Sequence, residues 1–365
     1  IYTGEDTLSL HDALPIFAIT IGFSGACIFT SNSRPSHVVV PRLPARELAP
    51  LLAGLAIFLL LYLYIRFSNI IEFVSLDTLY VQRERGAADN FIDGYAQTYS
   101  QYVISTGLVA LGLFKRNPFY VSLGLAGSIL NFGITAEKAG LIYPLFVIGL
   151  FFALNSKKLI FTNTSFVMVG FSFLLIFSVY TRSILSISEF ICWYLGTRTI
   201  LTPGAFVVYY ADFFSQNGYT HLSHLRGLNF FISVPGQYLN DPRWPALGVI
   251  LGEDYLGIPR LNANASYLAS DGIASFGVWG CFVAFAILVV IAKCFDYFGR
   301  GIPPRLLLPI LLSISLTLSN GSVLSVLTSF GGVFWLIIFR FGFREHRQGF
   351  NAGLGHRADT SSSTN

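Results

Sequence analysis

Residues 48–67 read LAPLLAGLAIFLLLYLYIRF, a run whose only charge, Arg66, sits at its far end. At about 1.5 Å of rise per residue such a helix matches a hydrocarbon core of about 30 Å. Lipid offers no partner to a bare peptide group, so a segment this apolar crosses it as a helix. Working outward, runs of the same kind fall at 16–31, 98–114, 118–135, 140–155, 164–181, 273–293, 304–319 and 322–342. Composition agrees: 53% of residues are apolar and 12% charged, where a soluble domain carries about a quarter charged residues. The mean hydropathy is +0.63. The expectation is an all-α polytopic membrane protein, a bundle of about nine visible transmembrane helices with one long loop.

The cations give the expected orientation. Arg34, Arg42 and Arg46, then Lys115 and Arg116, then Lys157 and Lys158, then Lys293, Arg300 and Arg305, then Arg340, Arg344, Arg347 and Arg357 all fall at alternate ends of the runs. The positive-inside rule makes those ends cytoplasmic. Residues 17–181 then form the N-terminal transmembrane helices, 182–272 a large loop on the outer face, 273–343 the C-terminal helices, and 344–365 a disordered cytoplasmic tail. Residues 1–16 stand apart. Thr7–Ile16, TLSLHDALPI, is the translation of a common sequencing adaptor, so no role is expected for it. The only methionine is Met168, and the chain is expected to have lost helices upstream.

The long loop is not polar filler. It holds Trp193, Trp244 and an aromatic run from Phe206 to Phe214. Ile187–Tyr194 and Thr199–Phe214 read as apolar helices lying on the membrane or dipping into it. Polar residues are threaded through it: Arg198, Asp212, the stretch His221-Leu222-Ser223-His224-Leu225-Arg226, then Asn262, Asn264 and Asp271. On a helix, His221 and His224 would share a face, yet no acidic residue completes a metal pattern, and no metal is expected. The bland reading of the pair is that both satisfy backbone groups. Asp271, in Ser-Asp-Gly before a span, reads as the cap of its own helix or as a ligand of substrate. Lys138 lies in the short turn Thr135–Gly140, where a cation close to the bundle is a functional candidate unless Glu137 pairs with it. Arg243, in the Asp241-Pro242-Arg243 turn, is expected to be a bystander. No P-loop, dinucleotide fingerprint or nucleic-acid surface is present, so no cofactor or nucleic acid is expected.

The short Lys-bearing turn, Arg198 followed by LTPGAFVVYYADFF, the HLSHLRG stretch, and NANASYLASDGIASFGVWG entering a span together resemble Wzy-type O-antigen polymerases. These are oligosaccharide repeat-unit polymerases of bacterial surface polysaccharide synthesis. The resemblance covers most of residues 68–345 and is diffuse. It implies a GT-C-like bundle in the bacterial inner membrane with a periplasmic loop. It also implies a glycosyltransferase that moves a growing glycan from undecaprenyl pyrophosphate onto another carrier-linked repeat unit. Such a transfer needs a base at the acceptor hydroxyl and cations at the departing pyrophosphate. Lys138, Arg198 and Arg226 could serve the second need, and His221, His224 or Asp212 the first. Asn262, Asn264 and Asp271 could hydrogen-bond sugar. The implied partners are the carrier-linked glycan, membrane lipid, a chain-length regulator and a flippase. An O-antigen ligase, a GT-C monosaccharide transferase and a polysaccharide flippase or transporter are the rival readings.

Overall fold

The computed structural model describes residues 45–73, 78–88, 90–155, 202–225, 228–259, 261–263, 268–318 and 321–341. Every regular element among them is helical. Among the described residues three helices are long and apolar enough to cross a membrane: Leu48–Phe67, Pro118–Thr135 and Leu268–Gly299. Gly140–Phe152, Pro304–Leu318 and Gly332–Phe341 are shorter apolar helices. The runs expected at 16–31 and 164–181, and the helix expected at Ile187–Tyr194, lie outside the described residues. The chain divides into two compact units. The helices Lys138–Asn155, Gly280–Gly299 and Pro304–Leu318 each begin in one unit and end in the other.

One unit is built on the described residues of 36–148, 296–310 and 333–341. Its Ala45–Phe67 helix turns Leu51, Phe58, Leu61 and Ile65 outward and buries Leu48, Leu52, Ala56 and Leu63. An exposed apolar stripe suits a helix whose solvent is lipid. Residues 91–115 are helical throughout, as Phe91–Thr98, the π-helical Tyr99–Ser105 and Thr106–Lys115. This is the run expected at 98–114, begun about two turns earlier. Its buried side chains include Gln97, Ser100, Gln101, Ser105 and Thr106, and it is not among the three long apolar helices.

The Pro118–Thr135 helix starts with Asn117 accepting from Phe119 N–H and with Pro118 in its first turn, where a missing N–H costs nothing. Gly124 and Gly127 face Ser105, and a Cβ on either would collide with it. Small residues let the two helices approach this closely. Asn131 donates to Ser100 Oγ at 2.9 Å across the same seam.

The other unit is built on the described residues of 149–295 and 311–332. The helix expected at Thr199–Phe214 is observed at Thr202–Asn217. It buries Val207, Tyr210 and Phe214, spaced three and four apart, against Leu247, Ile250 and Leu251 of the short helix Leu247–Asp254. The same core takes in Ala269, Ile273, Ala274 and Cys281.

Two boundaries differ from the sequence reading. The helix expected to begin at 273 begins at Leu268, with a π-helical first segment, Leu268–Ile273. The loop expected to run from 182 to 272 therefore closes earlier, and Asp271 belongs to the helix. The run 322–342 is not one span but two helices, Val323–Thr328 and Gly332–Phe341. Gly331 between them has φ 79, a left-handed conformation that an uninterrupted helix cannot hold. Hydropathy sees neither the π turn nor the break, because both leave the apolar count unchanged.

Candidate functional site

The site begins with a break in a helix. After Leu268–Ile273 and Ala274–Phe276, Gly277 takes φ 62 and ψ −147, and the chain restarts as Gly280–Gly299. Such a break strands backbone carbonyls that an unbroken helix would satisfy. Thr220 N–H donates to Ala274 O at 2.8 Å and His221 N–H donates to Ser275 O at 3.2 Å. The segment that repairs the break is thus the one entering the histidine stretch. Tyr219 packs its hydroxyl over Gly277, where a Cβ would leave it no room.

That stretch is a turn, not a helix. His221 has φ 49 and Leu222 φ 68, and Ser223 N–H donates back to Thr220 O at 2.9 Å. Two successive positive-φ residues closed by that bond make a tight left-handed turn of the type I′ family. The expectation that His221 and His224 share a helical face is therefore corrected, and the two imidazoles part. His221 is exposed, its ring centroid 5.8 Å from that of Phe276. His224 is buried.

Around His224 the polar groups form a chain. Its Nδ1 lies 2.9 Å from Thr220 Oγ1, and its Nε2 lies 3.4 Å from Asp271 Oδ1. Thr220 Oγ1 in turn lies 3.3 Å from Ser275 Oγ. Asp271 Oδ1 accepts from Ser270 Oγ at 3.1 Å, while Oδ2 accepts from Val323 N–H at 2.6 Å and Ser322 Oγ at 3.1 Å. With Nε2 donating to the carboxylate, Nδ1 is left to accept from Thr220, a tautomer that satisfies both ring nitrogens. Hydroxyl, imidazole and carboxylate stand in the order that acyl-transfer enzymes use to orient a histidine. Thr220 is itself fully buried, so here the order holds a ring in place rather than presenting a nucleophile.

Asp271 does act as a cap, but not for its own helix. Its carboxylate sits at the start of Val323–Thr328, taking the N–H that this helix leaves unpaired. One side chain thus fixes three things: the His224 ring, the Ser270 hydroxyl and the N-terminus of a second helix. Thr220, Ser270, Ser275 and Ser322 were not singled out from the sequence. Ser275 follows Asp271 by four residues, which places both on one helix face, and that spacing was the only signal available.

The other candidates do not join this chain. Asp212 Oδ2 accepts from Tyr255 Oη at 2.8 Å and Oδ1 from Gln216 Nε2 at 2.7 Å. It ties the Thr202–Asn217 helix to the end of Leu247–Asp254. Asn262 is exposed, and Ala263 beside it is buried, its N–H donating to Gly248 O at 2.8 Å. Arg198, Arg226 and Asn264 lie outside the described residues.

Lys138 belongs to the unit built on 36–148, where it is exposed at the start of Lys138–Asn155. Among the described residues no carboxylate pairs with it. Glu137 is held instead by Tyr102 Oη at 2.7 Å and Gln101 Nε2 at 3.2 Å. The same unit buries Asp93 completely against Arg66 Nε at 3.1 Å and Tyr62 Oη at 2.7 Å. Spacing along the chain does not reveal this contact, because Tyr62 and Arg66 lie about thirty residues from Asp93 on another helix.

Comparison with family models, with curated proteins and with solved structures finds no match.

Proposed function

We propose that this chain is a glycosyltransferase of the repeat-unit polymerase kind, acting in the bacterial inner membrane with its loop on the periplasmic side. The observation that carries the reading is the buried chain Thr220–His224–Asp271, which braces the turn presenting the exposed His221 beside the mouth of an apolar helix. In the reaction the acceptor hydroxyl oxygen bonds to the anomeric carbon of the donor glycan. The bond from that carbon to the carrier pyrophosphate breaks, and the hydroxyl proton passes to a base. His221 is the base, being the imidazole open to an incoming hydroxyl; His224 and Asp271 are positioning residues. Arg198 supplies the fork that receives the leaving pyrophosphate. The bundle is of GT-C type in this reading, and the partners are carrier-linked glycan and the flippase and chain-length regulator that work beside such enzymes.

The test is the ladder of surface polysaccharide lengths in a strain lacking its own polymerase. His221→Gln is expected to abolish the ladder with protein abundance unchanged. Arg198→Lys is expected to lose most of it, because an ammonium keeps the charge but not the bidentate geometry. A full ladder from His221→Gln and from Arg198→Lys would sink the assignment.

A further inference from the structure

Phe230 and Phe231 are the most exposed large apolar side chains among the described residues, at 85% and 87%. They are not on a frayed end. Leu228–Phe230 is a 3-10 turn, and Phe231 and Ile232 both donate their N–H back to Leu228 O, at 2.9 and 3.0 Å. A hydrogen-bonded turn thus holds two neighbouring rings outward. Leu239, further along the same loop, is also largely exposed.

Charge is partitioned along this loop. From Gly227 to Asn240, GLNFFISVPGQYLN, there is no Asp, Glu, Lys or Arg. The charges come next, and they are engaged with each other: Arg243 with Asp241, Glu253 and Asp254. The stretch that carries the two rings is therefore uncharged, and the one that follows it is ionic. In the same unit Trp279 is exposed at the head of Gly280–Gly299, its ring 5.8 Å from Phe282. An exposed Trp at the end of an apolar helix is the side chain expected where hydrocarbon gives way to headgroups. Below it Val283 and Val290 continue the exposed apolar surface of that helix.

Paired exposed aromatics on a water-facing surface are unusual and mark a docking face. Here the chain itself supplies the nearest apolar phase, since the loop is joined to a helix able to cross a bilayer. We propose that the Phe230–Phe231 turn is a wedge that inserts into the lipid at the membrane interface and fastens the loop to the bilayer. The occupant of this face is acyl chain at the headgroup boundary, which accepts uncharged aromatic and aliphatic side chains without any specific pocket. This inference rests on the chain being a membrane protein and not on its glycan chemistry.

The experiment is photo-crosslinking of the full chain in proteoliposomes, with p-benzoylphenylalanine placed at position 230 or 231 and, for comparison, at the solvent-facing position 216. Mass spectrometry identifies what each probe captures. Phospholipid adducts several-fold more abundant at 230 and 231 than at 216 are the expected result. A crosslinked band at twice the chain's mass would mean that a second copy covers the face, and would overturn the proposal. So would lipid capture no greater than at 216. Neither outcome bears on the polysaccharide ladder, so the wedge and the transferase stand or fall separately.

Discussion

Arg243 reads in the sequence as a bystander, yet its guanidinium grips Asp241 with Nε and Nη2 and Asp254 with Nη1 and Nη2, and reaches Glu253 at 3.2 Å. Arg243→Ala would leave Asp241, mostly shielded from water, without its cation. The expected cost is about 1–3 kcal/mol of local stability, read as faster hydrogen exchange over 241–254, with abundance of the whole chain little changed. Hydrogen bonding from Arg243 holds the Asp241 carboxyl below the ordinary aspartate range. Because the folded value is the lower one, this contribution is fully present above about pH 4 and fades as pH falls through the folded value. Exchange over 241–254, corrected for its intrinsic pH dependence, should therefore quicken on acidification below about pH 4; an unchanged rate would contradict it. The two histidines teach the same lesson about legibility. Their identity and the presence of Asp271 could be read from the chain. Their separate fates could not, because nothing in HLSHL announces that His221 and Leu222 take positive φ.

Asp271 and Ser322 separate two jobs that one carboxylate performs. Ser322→Ala removes a cap contact without touching His224, so it should lower the melting temperature modestly and leave the polysaccharide ladder intact. Asp271→Asn should lose the ladder as well, since it also alters what faces His224 Nε2. Equal ladders from the two variants would show that Asp271 is only a cap.

At the scale of elements, the breaks matter more than the spans. Gly277→Ala would place a Cβ at φ 62, ψ −147 and against the Tyr219 hydroxyl, a conformation costing an L-residue about 1–3 kcal/mol. Thermal unfolding in detergent should show the loss. Gly236→Ala, where a Cβ meets nothing within 4 Å, should stay within about 0.5 kcal/mol of the parent. Apolar runs were legible because hydropathy averages over some twenty residues and lipid demands that length. The π turn at Leu268–Ile273 and the interruption at Gly331 were not, since each depends on a few torsions that a windowed average erases. Buried polar contacts such as Gln101–Glu137 and Asn131–Ser100 are equally illegible, because each joins residues more than thirty apart and no single run contains both ends.

For the whole molecule the orientation is the open quantity with the largest leverage. From the alternation of cations the expectation is that residues 182–272 lie outside the cytoplasm and 344–365 inside it. Reporter fusions after Asn217 and after Gly355 should give opposite signals, periplasmic for the first and cytoplasmic for the second. A cytoplasmic signal after Asn217 would put His221 in the wrong compartment for a carrier-linked glycan, whatever its chemistry.

Four of the described helices, Gly332–Phe341 by its first residue alone, begin in one compact unit and finish in the other, and this has a bearing on inheritance. Neither unit is a continuous stretch of gene, so a single crossover between related genes would exchange fragments of both and leave each core half foreign. Like residues 45–137 in the other unit, residues 202–267 fall entirely within one unit, inside 149–295. A double crossover flanking that stretch would trade the Thr202–Asn217 helix, the histidine turn and the ionic loop as one parcel, while the helices on either side keep their inherited partners. Variation between lineages should therefore accumulate as mosaic blocks with sharp edges in these two stretches, and more diffusely at the helices that straddle the units.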